Sequence, residues 1–200
     1  LEKCLAVLQQ EKPLRNEDLS PEELHILKTY QLLSLKPMLI ALSLDETQQS
    51  IMGEEVARVA SAKAGLRTRI VAFFGKIDME ISELSSEEAR VFLDEYGIKE
   101  SALATLIRGS YALLGLQSFL TVGEDECRAW TIRVGMTAQE AAGVIHSDFV
   151  NKFIRAEVVH YDDFIAAGGS FPKAKEAGHW RLEGKNYNVH DGDIMNIRHN

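Results

Sequence analysis

The stretch that decides the fold covers residues 128–164, RAWTIRVGMTAQEAAGVIHSDFVNKFIRAEVVHYDDF. Near its two ends, residues 129–134 and 153–160 alternate between apolar and polar side chains, and this alternation predicts two β-strands. Between them, Thr137 and Glu140 have the spacing of a capping box, which predicts that a helix begins there. A helix between two strands of this kind indicates a small α+β domain.

Segments on both sides of this stretch extend the predicted sheet. Residues 118–122 pair with the first strand as a hairpin whose connection is the acidic segment 123–126. Three further short extended segments are predicted, two flanking a turn at Gly184-Lys185 and one at the end: 181–182, 187–189 and 194–198. One helix packed across a small mixed sheet is a β-grasp, or ubiquitin-like, arrangement, which we predict for residues 116–200.

The preceding part of the chain has the pattern of an α/β domain. Residues 38–42 and 70–74 are short, continuous apolar runs, which predict strands buried on both faces of a parallel sheet. A helical pattern over residues 47–64 connects them, so the three elements predict a βαβ crossover. We assign residues 36–115 to the last part of a P-loop-type domain, including two helices that follow the crossover.

The first 35 residues are helical in pattern. Leu1, Leu5 and Leu8 have helical spacing, and Ser20-Pro21-Glu22-Glu23 combines an N-cap, a proline at the first helical position and a capping-box glutamate. The second helix is predicted to continue to about residue 34. Residues 1–35 are therefore predicted to be the end of a helical hairpin insert.

Composition narrows the function classes. The chain has 200 residues, a net charge of −8, two cysteines and six histidines. An acidic chain disfavours a nonspecific DNA-binding protein, because such proteins bind phosphate through clustered positive charge. No apolar window is long enough for a membrane span, and the cysteines and histidines have no metal-ligand spacing, so neither a membrane nor a metal is expected. These features are typical of a cytoplasmic protein.

The stretch at residues 128–164 resembles the C-terminal domain of the YchF/Obg-like ATPases, a family of P-loop nucleotide hydrolases. The resemblance extends over 31–46 (QLLSLKPMLIALSLDE), 93–121 and 188–198 (NVHDGDIMNIR). The C-terminal portion is similar to the TGS domain of this family. The resemblance implies an α/β plus α+β fold and a parent ATPase or GTPase that uses ATP or GTP with Mg²⁺. It also implies association with ribosomes.

The same resemblance implies where a nucleotide base would bind. The family's Asn-x-x-Glu motif falls on Ser43-Leu44-Asp45-Glu46, where Glu46 matches and Ser43 replaces the asparagine. A hydroxyl offers one donor where an amide both donates and accepts, so a preference for adenine or guanine cannot be carried over. A second family loop falls on Phe74-Gly75-Lys76, where the lysine matches. The predicted cofactor-binding residues are Ser43, Leu44, Glu46, Phe74 and Gly75; the alternative is a simple strand-to-helix turn.

The phosphate-binding half of such a site is missing from these residues. A P-loop has the pattern Gly-x-x-x-x-Gly-Lys-Ser/Thr, and the 200 residues do not contain it. No catalytic residue is predicted, and no cofactor is expected for this chain alone. Because the first residue is Leu1, we interpret the chain as a fragment that acts as a non-catalytic ribosome-, RNA- or partner-binding module. The alternative is part of an ATP-hydrolysing enzyme that supplies only the base-recognition side.

A candidate RNA- or partner-binding surface lies in the TGS-like region. Its predicted residues are Arg128, Arg133, Lys152 and Arg155, accompanied by Trp130 and Phe153 on or near adjoining strands. Exposed aromatic and arginine side chains stack on unpaired bases, while lysine contacts phosphate. Alternatively, the aromatic residues belong to the core, and the arginines pair with Glu124, Glu126 or Glu157. An acidic surface that binds protein partners is a third hypothesis.

Overall fold

The structure is a computed structural model that describes residues 1–63, 65–123 and 126–200. The chain divides into two compact units, Leu1–Leu114 and Gly115–Asn200, here called the N-terminal and C-terminal units. Each unit has its own buried apolar cluster.

The N-terminal unit contains a two-stranded parallel sheet. Strands β1 (Met38–Ser43) and β2 (Thr68–Phe73) pair in register, and the connection consists of a 3₁₀ segment, Glu46–Ile51, and helix α3 (Met52–Lys63). The predicted βαβ crossover is therefore present. Its helix was predicted as one α-helix over residues 47–64, whereas the first part has the tighter 3₁₀ geometry and residue 64 lies outside the described residues.

Neither strand of this sheet is fully buried, contrary to the prediction. All residues of β1 and β2 are half-buried or exposed, because α3 and helix α6 (Ala102–Leu114) leave part of the two-stranded sheet in contact with solvent. Helix α6 approaches the sheet closely at Gly109, where an added Cβ would lie 2.9 Å from a Val71 methyl carbon and 3.4 Å from a Leu39 methyl carbon. Glycine at this position permits the close helix-to-sheet contact.

Helices account for most of the remaining N-terminal unit. They are α1 (Glu2–Gln9), α2 (Pro21–Leu27), α4 (Gly75–Ile81), α5 (Ser86–Glu95) and α6 (Ala102–Leu114). Helix α2 begins at the predicted capping box, with the Glu23 backbone N–H donating to the Ser20 hydroxyl over 3.2 Å. It ends at Leu27 instead of near residue 34, because Gln31 adopts a positive φ of 49° and the chain continues in 3₁₀ turns.

The C-terminal unit is built around a five-stranded sheet. Its strands are β3 (Leu116–Val122), β4 (Cys127–Arg133), β5 (Phe153–His160), β6 (Arg181–Glu183) and β7 (Asp193–His199). The spatial order is β4-β3-β7-β5-β6; β3 and β7 are parallel, and the other neighbours are antiparallel.

Two details of the prediction for this sheet need correction or restriction. Residues 187–189 were predicted as a strand but contribute only an isolated bridge between Asn188 and Thr137. In the acidic connection 123–126, the Gly123 N–H donates to the Glu126 carbonyl over 2.9 Å, while residues 124 and 125 lie outside the described residues.

Helices cover parts of both faces of the five-stranded sheet. Helix α7 (Ala138–Ile145) begins at the predicted Thr137–Glu140 capping box and packs on a core that includes Phe119, Val158 and Met195. On the opposite face, Val159 and Ile194 of the sheet form a second cluster with residues of two short helices, among them Phe164 and Ala174. Three short helices were not predicted: α8 (Asp148–Lys152), α9 (Tyr161–Ala166) and α10 (Phe171–Glu176). Within the described ranges, no helix is long and apolar enough to cross a membrane.

Candidate nucleotide-base edge and cation positions

The residues predicted to contact a nucleotide base converge at the carboxyl ends of β1 and β2. Ser43 is the last residue of β1 and is paired with Phe73, the last residue of β2. The Leu44 N–H extends this pairing by donating to the Phe73 carbonyl over 2.9 Å. The two loops that follow the strands therefore begin side by side, as expected for a parallel pair.

The second loop touches the first through Gly75 and Lys76. A Cβ added to Gly75 would lie 2.8 Å from the Ser43 hydroxyl oxygen. The Lys76 ammonium lies 4.0 Å from a Glu46 carboxylate oxygen, at the limit of an ion pair. The loops are thus adjacent in both backbone and side chains, and we name Ser43–Glu46 with Phe74–Lys76 the base edge.

Exposure at the base edge determines which groups a ligand can contact. Ser43 is exposed, whereas Leu44, Glu46 and Gly75 are partly accessible. Phe74 is 5% exposed, so its side chain belongs to the core and mainly its backbone borders the edge. The polar groups available here are therefore the Ser43 hydroxyl, the Glu46 carboxylate, the exposed Lys76 ammonium and backbone groups.

Asp45 performs the structural role that the alternative interpretation assigned to this turn. Its carboxylate accepts from the Thr47 hydroxyl over 2.7 Å and from the Thr47 N–H over 3.0 Å, while the Asp45 N–H donates to the Gln48 side chain. These hydrogen bonds, with a further contribution from the Lys76 charge, hold the pKa of Asp45 below its usual value. Because Asp45 and Gln48 supply the cap, Ser43 and Glu46 are not needed for it.

The four predicted RNA- or partner-binding cations do not form one patch. Arg128 lies over the Trp130 ring, 4.2 Å from its centroid, and Trp130 packs against the core on the α7 face. Lys152 ends α8 and lies 3.4 Å from Asp148. Arg133 and Arg155 lie on the opposite face from Arg128, because side chains alternate along each strand.

The strands that carry these cations are not neighbours, contrary to the sequence-based expectation. Strands β3 and β7 separate β4 from β5. Arg133 is paired with Leu116 at the start of β3, while Arg155 is paired with Arg198 near the end of β7. At about 3.3 Å per residue, these two arginines lie roughly 25 Å apart along the strand direction. Glu157, one of the carboxylates predicted to pair with Arg128 or Arg133, forms its ion pair with Arg198 instead. Glu124, another of them, lies outside the described residues.

Comparison with known proteins places both units in one family. Residues 116–200 match the family model of the YchF-GTPase C-terminal domain, described as a protein of unknown function (DUF933). The whole chain is 46% identical to the Ribosome-binding ATPase YchF of Bacillus subtilis, and 97% of it aligns at 38% identity with Obg-like ATPase 1 of Rattus norvegicus. The Schizosaccharomyces pombe YchF GTPase structure matches 98% of the chain at 28% identity, with a TM-score of 0.77.

The chain belongs to the YchF/Obg-like ATPase family. It covers 55% of the Bacillus protein, 50% of the rat protein and 53% of the chain in the solved structure. It therefore spans about half the length of the relatives it matches.

A buried polar network in the C-terminal unit of this YchF-family chain was not predicted. The Asp193 side chain is 1% exposed. One carboxylate oxygen accepts from the Tyr187 hydroxyl over 2.8 Å and from the His190 N–H over 2.9 Å. The other oxygen lies 3.6 Å from the Arg181 guanidinium, which also donates to the Tyr187 hydroxyl over 3.0 Å. Nothing in the Asp191-Gly192-Asp193 sequence indicated this burial.

The same network lines a surface cleft of about 360 Å³ with His160, Asp163 and His179. These titratable groups have the residue types of a metal site. Among the described residues, however, no group of three His, Cys, Asp or Glu side chains is arranged to hold a metal ion. What the hydrogen bonds of Asp193 do is connect β7 to His190 and Tyr187 in the segment before it.

Tyr187 makes the stability of this unit sensitive to high pH. Burial, reinforced by its hydrogen bond to Asp193, raises the pKa of Tyr187 to about 12. Because the unfolded phenol ionises near pH 10, the neutral form stabilises the folded state below pH 10, and that contribution is lost between about pH 10 and 12. We expect Tyr187→Phe to show a smaller loss of unfolding free energy across this window than Tyr161→Phe, which removes an exposed phenol. Denaturant titrations at several pH values, followed by tryptophan fluorescence, measure this loss of unfolding free energy. Equal losses in the two variants would contradict the assignment of the pH dependence to Tyr187.

Proposed function

We propose that this chain is a non-catalytic module of a YchF-type ATPase, and that its C-terminal unit docks on the ribosome or its RNA. The observation that carries the proposal is the compact C-terminal unit, which has its own core and matches the family's C-terminal model. Relatives over the whole chain are named ribosome-binding ATPases. The 200 residues contain no Gly-x-x-x-x-Gly-Lys-Ser/Thr sequence to bind phosphates.

We further propose that the C-terminal unit is a β-grasp domain of the TGS type. The strand order β4-β3-β7-β5-β6, with a parallel central pair and helix α7 across one face, supports this assignment. The hairpin β3–β4 is followed by helix α7 and the pair β5–β6, and the last strand, β7, lies between the hairpin and that pair; this order is the ubiquitin-like arrangement.

The base edge supports a second role for this chain in the longer protein. In that protein, Ser43, Leu44, Glu46 and the backbone at Phe74 and Gly75 would border the base of ATP or GTP. This role is favoured by the adjacency of the two loops. The Leu44 N–H donates to the Phe73 carbonyl, and the Lys76 ammonium lies near the Glu46 carboxylate. Phosphates and Mg²⁺ would be held by residues outside this chain. That division is consistent with phosphoryl transfer, in which positioning and the metal supply most of the catalysis.

The catalytic half of the proposal is tested by hydrolysis assays. We expect the 200-residue chain to release no phosphate from ATP or GTP with Mg²⁺ above the uncatalysed background, while the longer protein that contains a phosphate loop turns nucleotide over. Phosphate release is measured at equal molar concentration, with and without EDTA. Mg²⁺-dependent turnover by the 200-residue chain would overturn the non-catalytic assignment.

The docking half is tested by co-sedimentation with ribosomes. We expect the chain to sediment with ribosomes and the bound fraction to fall as salt rises from 50 to 300 mM, because contacts with phosphate release counterions. Binding that ignores salt would favour an apolar protein contact on the ribosome. No sedimentation at any salt concentration would contradict docking by this chain.

A further inference from the structure

A small, partly enclosed pocket lies on the face of the C-terminal sheet opposite α7. Its volume is about 190 Å³, and its lining combines two aromatic, two aliphatic and two polar side chains: Val122, Glu157, Val159, Phe171, Trp180 and Asn196. Pockets for drug-sized ligands occupy roughly 300–1,000 Å³. This pocket therefore has room for one planar ring or one side chain.

Strand register explains how the pocket is built. Asn196 of β7 is paired with Glu157 of β5, and the β3–β7 register places Val122 beside Asn196, so these three side chains form a row across the sheet. Trp180 immediately precedes β6, whose register places it opposite Val159. This row of three side chains forms the floor of the pocket, and the side chains of Phe171 and Trp180 form its walls.

The aromatic walls are fixed by neighbouring rings and cations. Phe171 packs on Phe164 with 4.7 Å between ring centroids. The Lys175 ammonium lies 4.5 Å from the centroid of Trp180. The His179 N–H, next to Trp180, donates to the Ala174 carbonyl over 3.0 Å and anchors the loop. Trp180 is therefore held beside the pocket before any ligand arrives.

The polar groups of the pocket are oriented by an ion pair. Arg198 donates to both Glu157 oxygens, over 3.0 and 3.1 Å, and the Asn196 amide nitrogen donates to one of them over 3.1 Å. Because a carboxylate only accepts, Asn196 must present its NH₂ group to Glu157. Its second N–H and its carbonyl oxygen are left for a ligand, and Asn196 is exposed. A donor and an acceptor on one planar group match the edge of a nucleobase.

The two arginines that the strand register places beside Glu157, Arg155 and Arg198, favour an anionic polymer over a cationic side chain on that side of the pocket. Glu157, the carboxylate in the lining, is already neutralised by Arg198. Arg155 is paired in register with Arg198 on the same face; it is exposed and has no ion pair within the described residues. A lysine or arginine entering the pocket would meet these cations, whereas a nucleotide phosphate beside it would find Arg155.

We propose that this pocket binds one unpaired base of single-stranded RNA. The base stacks against Trp180 and Phe171, Asn196 binds its edge, and Arg155 contacts an adjacent phosphate. Stacking on aromatic side chains with hydrogen bonds to the base edge is the usual mode of single-stranded RNA recognition. The inference rests on the proposed docking role and specifies the site that performs it.

Trp180 provides the readout for the test. The chain has two tryptophans, so in a Trp130→Phe background the intrinsic fluorescence reports Trp180. Titration of the 200-residue chain with a 12-nucleotide single-stranded RNA is expected to give saturable quenching. In the same background, Asn196→Ala is expected to weaken binding about tenfold, since the hydrogen bonds to the base edge are lost, and the exposed-turn variant Asn186→Ala is the matched control. Arg155→Ala is expected to weaken binding and to reduce the salt dependence by about one phosphate contact.

Each outcome decides for or against the pocket. Quenching by RNA, lost in Asn196→Ala and kept in Asn186→Ala, supports it. RNA binding that Asn196→Ala and Trp180→Leu leave unchanged, measured by fluorescence anisotropy of labelled RNA, overturns it. Quenching by an arginine-rich peptide but not by RNA also overturns it and identifies a protein ligand. Ribosome co-sedimentation of the same variants separates the two proposals: undiminished sedimentation of Asn196→Ala and Trp180→Leu leaves docking intact while the base pocket fails.

Discussion

Replacing Phe119 with alanine is expected to lower the free energy of unfolding of the C-terminal unit by about 3–5 kcal/mol. Phe119 is 0% exposed and lies at the centre of the cluster between the sheet and α7. It is paired across the strands with Trp130 and packs in the same core as Ile132 and Met195. Truncation removes buried apolar surface and leaves a cavity. The sheet cannot easily move to fill it, because side chains pack on both of its faces.

The two-unit architecture makes this measurement specific. Both tryptophans, Trp130 and Trp180, belong to the C-terminal unit, so urea titrations followed by tryptophan fluorescence report its unfolding. Leu14→Ala is the matched control, because Leu14 is also 0% exposed but lies in the core of the N-terminal unit. We expect Leu14→Ala to leave the fluorescence transition nearly unchanged. A loss below about 1 kcal/mol for Phe119→Ala would contradict the assignment of Phe119 to the centre of this core.

Local signals in the sequence predicted the elements that depend on neighbouring residues. The capping boxes at Ser20 and Thr137 each begin a helix at the predicted residue, because the cap and its glutamate lie three positions apart. The apolar runs at β1 and β2 predicted the two strands, because such a run is also a pattern within a few consecutive residues. The end of α2 could not be predicted in this way, since the left-handed conformation of Gln31 is unusual for a residue other than glycine.

Features that depend on long-range pairing were much harder to predict. Arg128, Arg133 and Arg155 appear close in a list of cations, yet strand order and side-chain alternation place them on different faces and at different ends. The pocket at Trp180 and Asn196 unites residues from segments far apart in the chain. Composition alone also gave no sign that Asp193 is buried, because aspartate in an Asp-Gly-Asp turn is usually solvated.

Asp193 is the other position where one substitution is expected to have a large effect. Its carboxylate connects β7 to the segment before it, through the His190 N–H and the Tyr187 hydroxyl, and to β6 through Arg181. Removing a buried acceptor leaves the groups that donated to it without a partner. Here these groups are the half-buried Tyr187 hydroxyl and the His190 backbone N–H, whereas the Arg181 side chain remains partly in water. The penalty therefore arises mainly at Tyr187 and His190.

Two substitutions at Asp193 separate charge from hydrogen bonding. Asp193→Ala removes both, and we expect the free energy of unfolding of the C-terminal unit to fall by about 2–3 kcal/mol, because two hydrogen bonds to a charged acceptor are lost. Asp193→Asn keeps an oxygen that can accept from Tyr187 and His190 but loses the attraction to Arg181, so a fall of about 1–2 kcal/mol is expected. Urea titrations at pH 7 with tryptophan fluorescence measure both. Equal losses of unfolding free energy in the two variants would mean that charge, not hydrogen bonding, dominates at this site. A negligible loss for Asp193→Ala would show that the network does not hold β6 and β7 together.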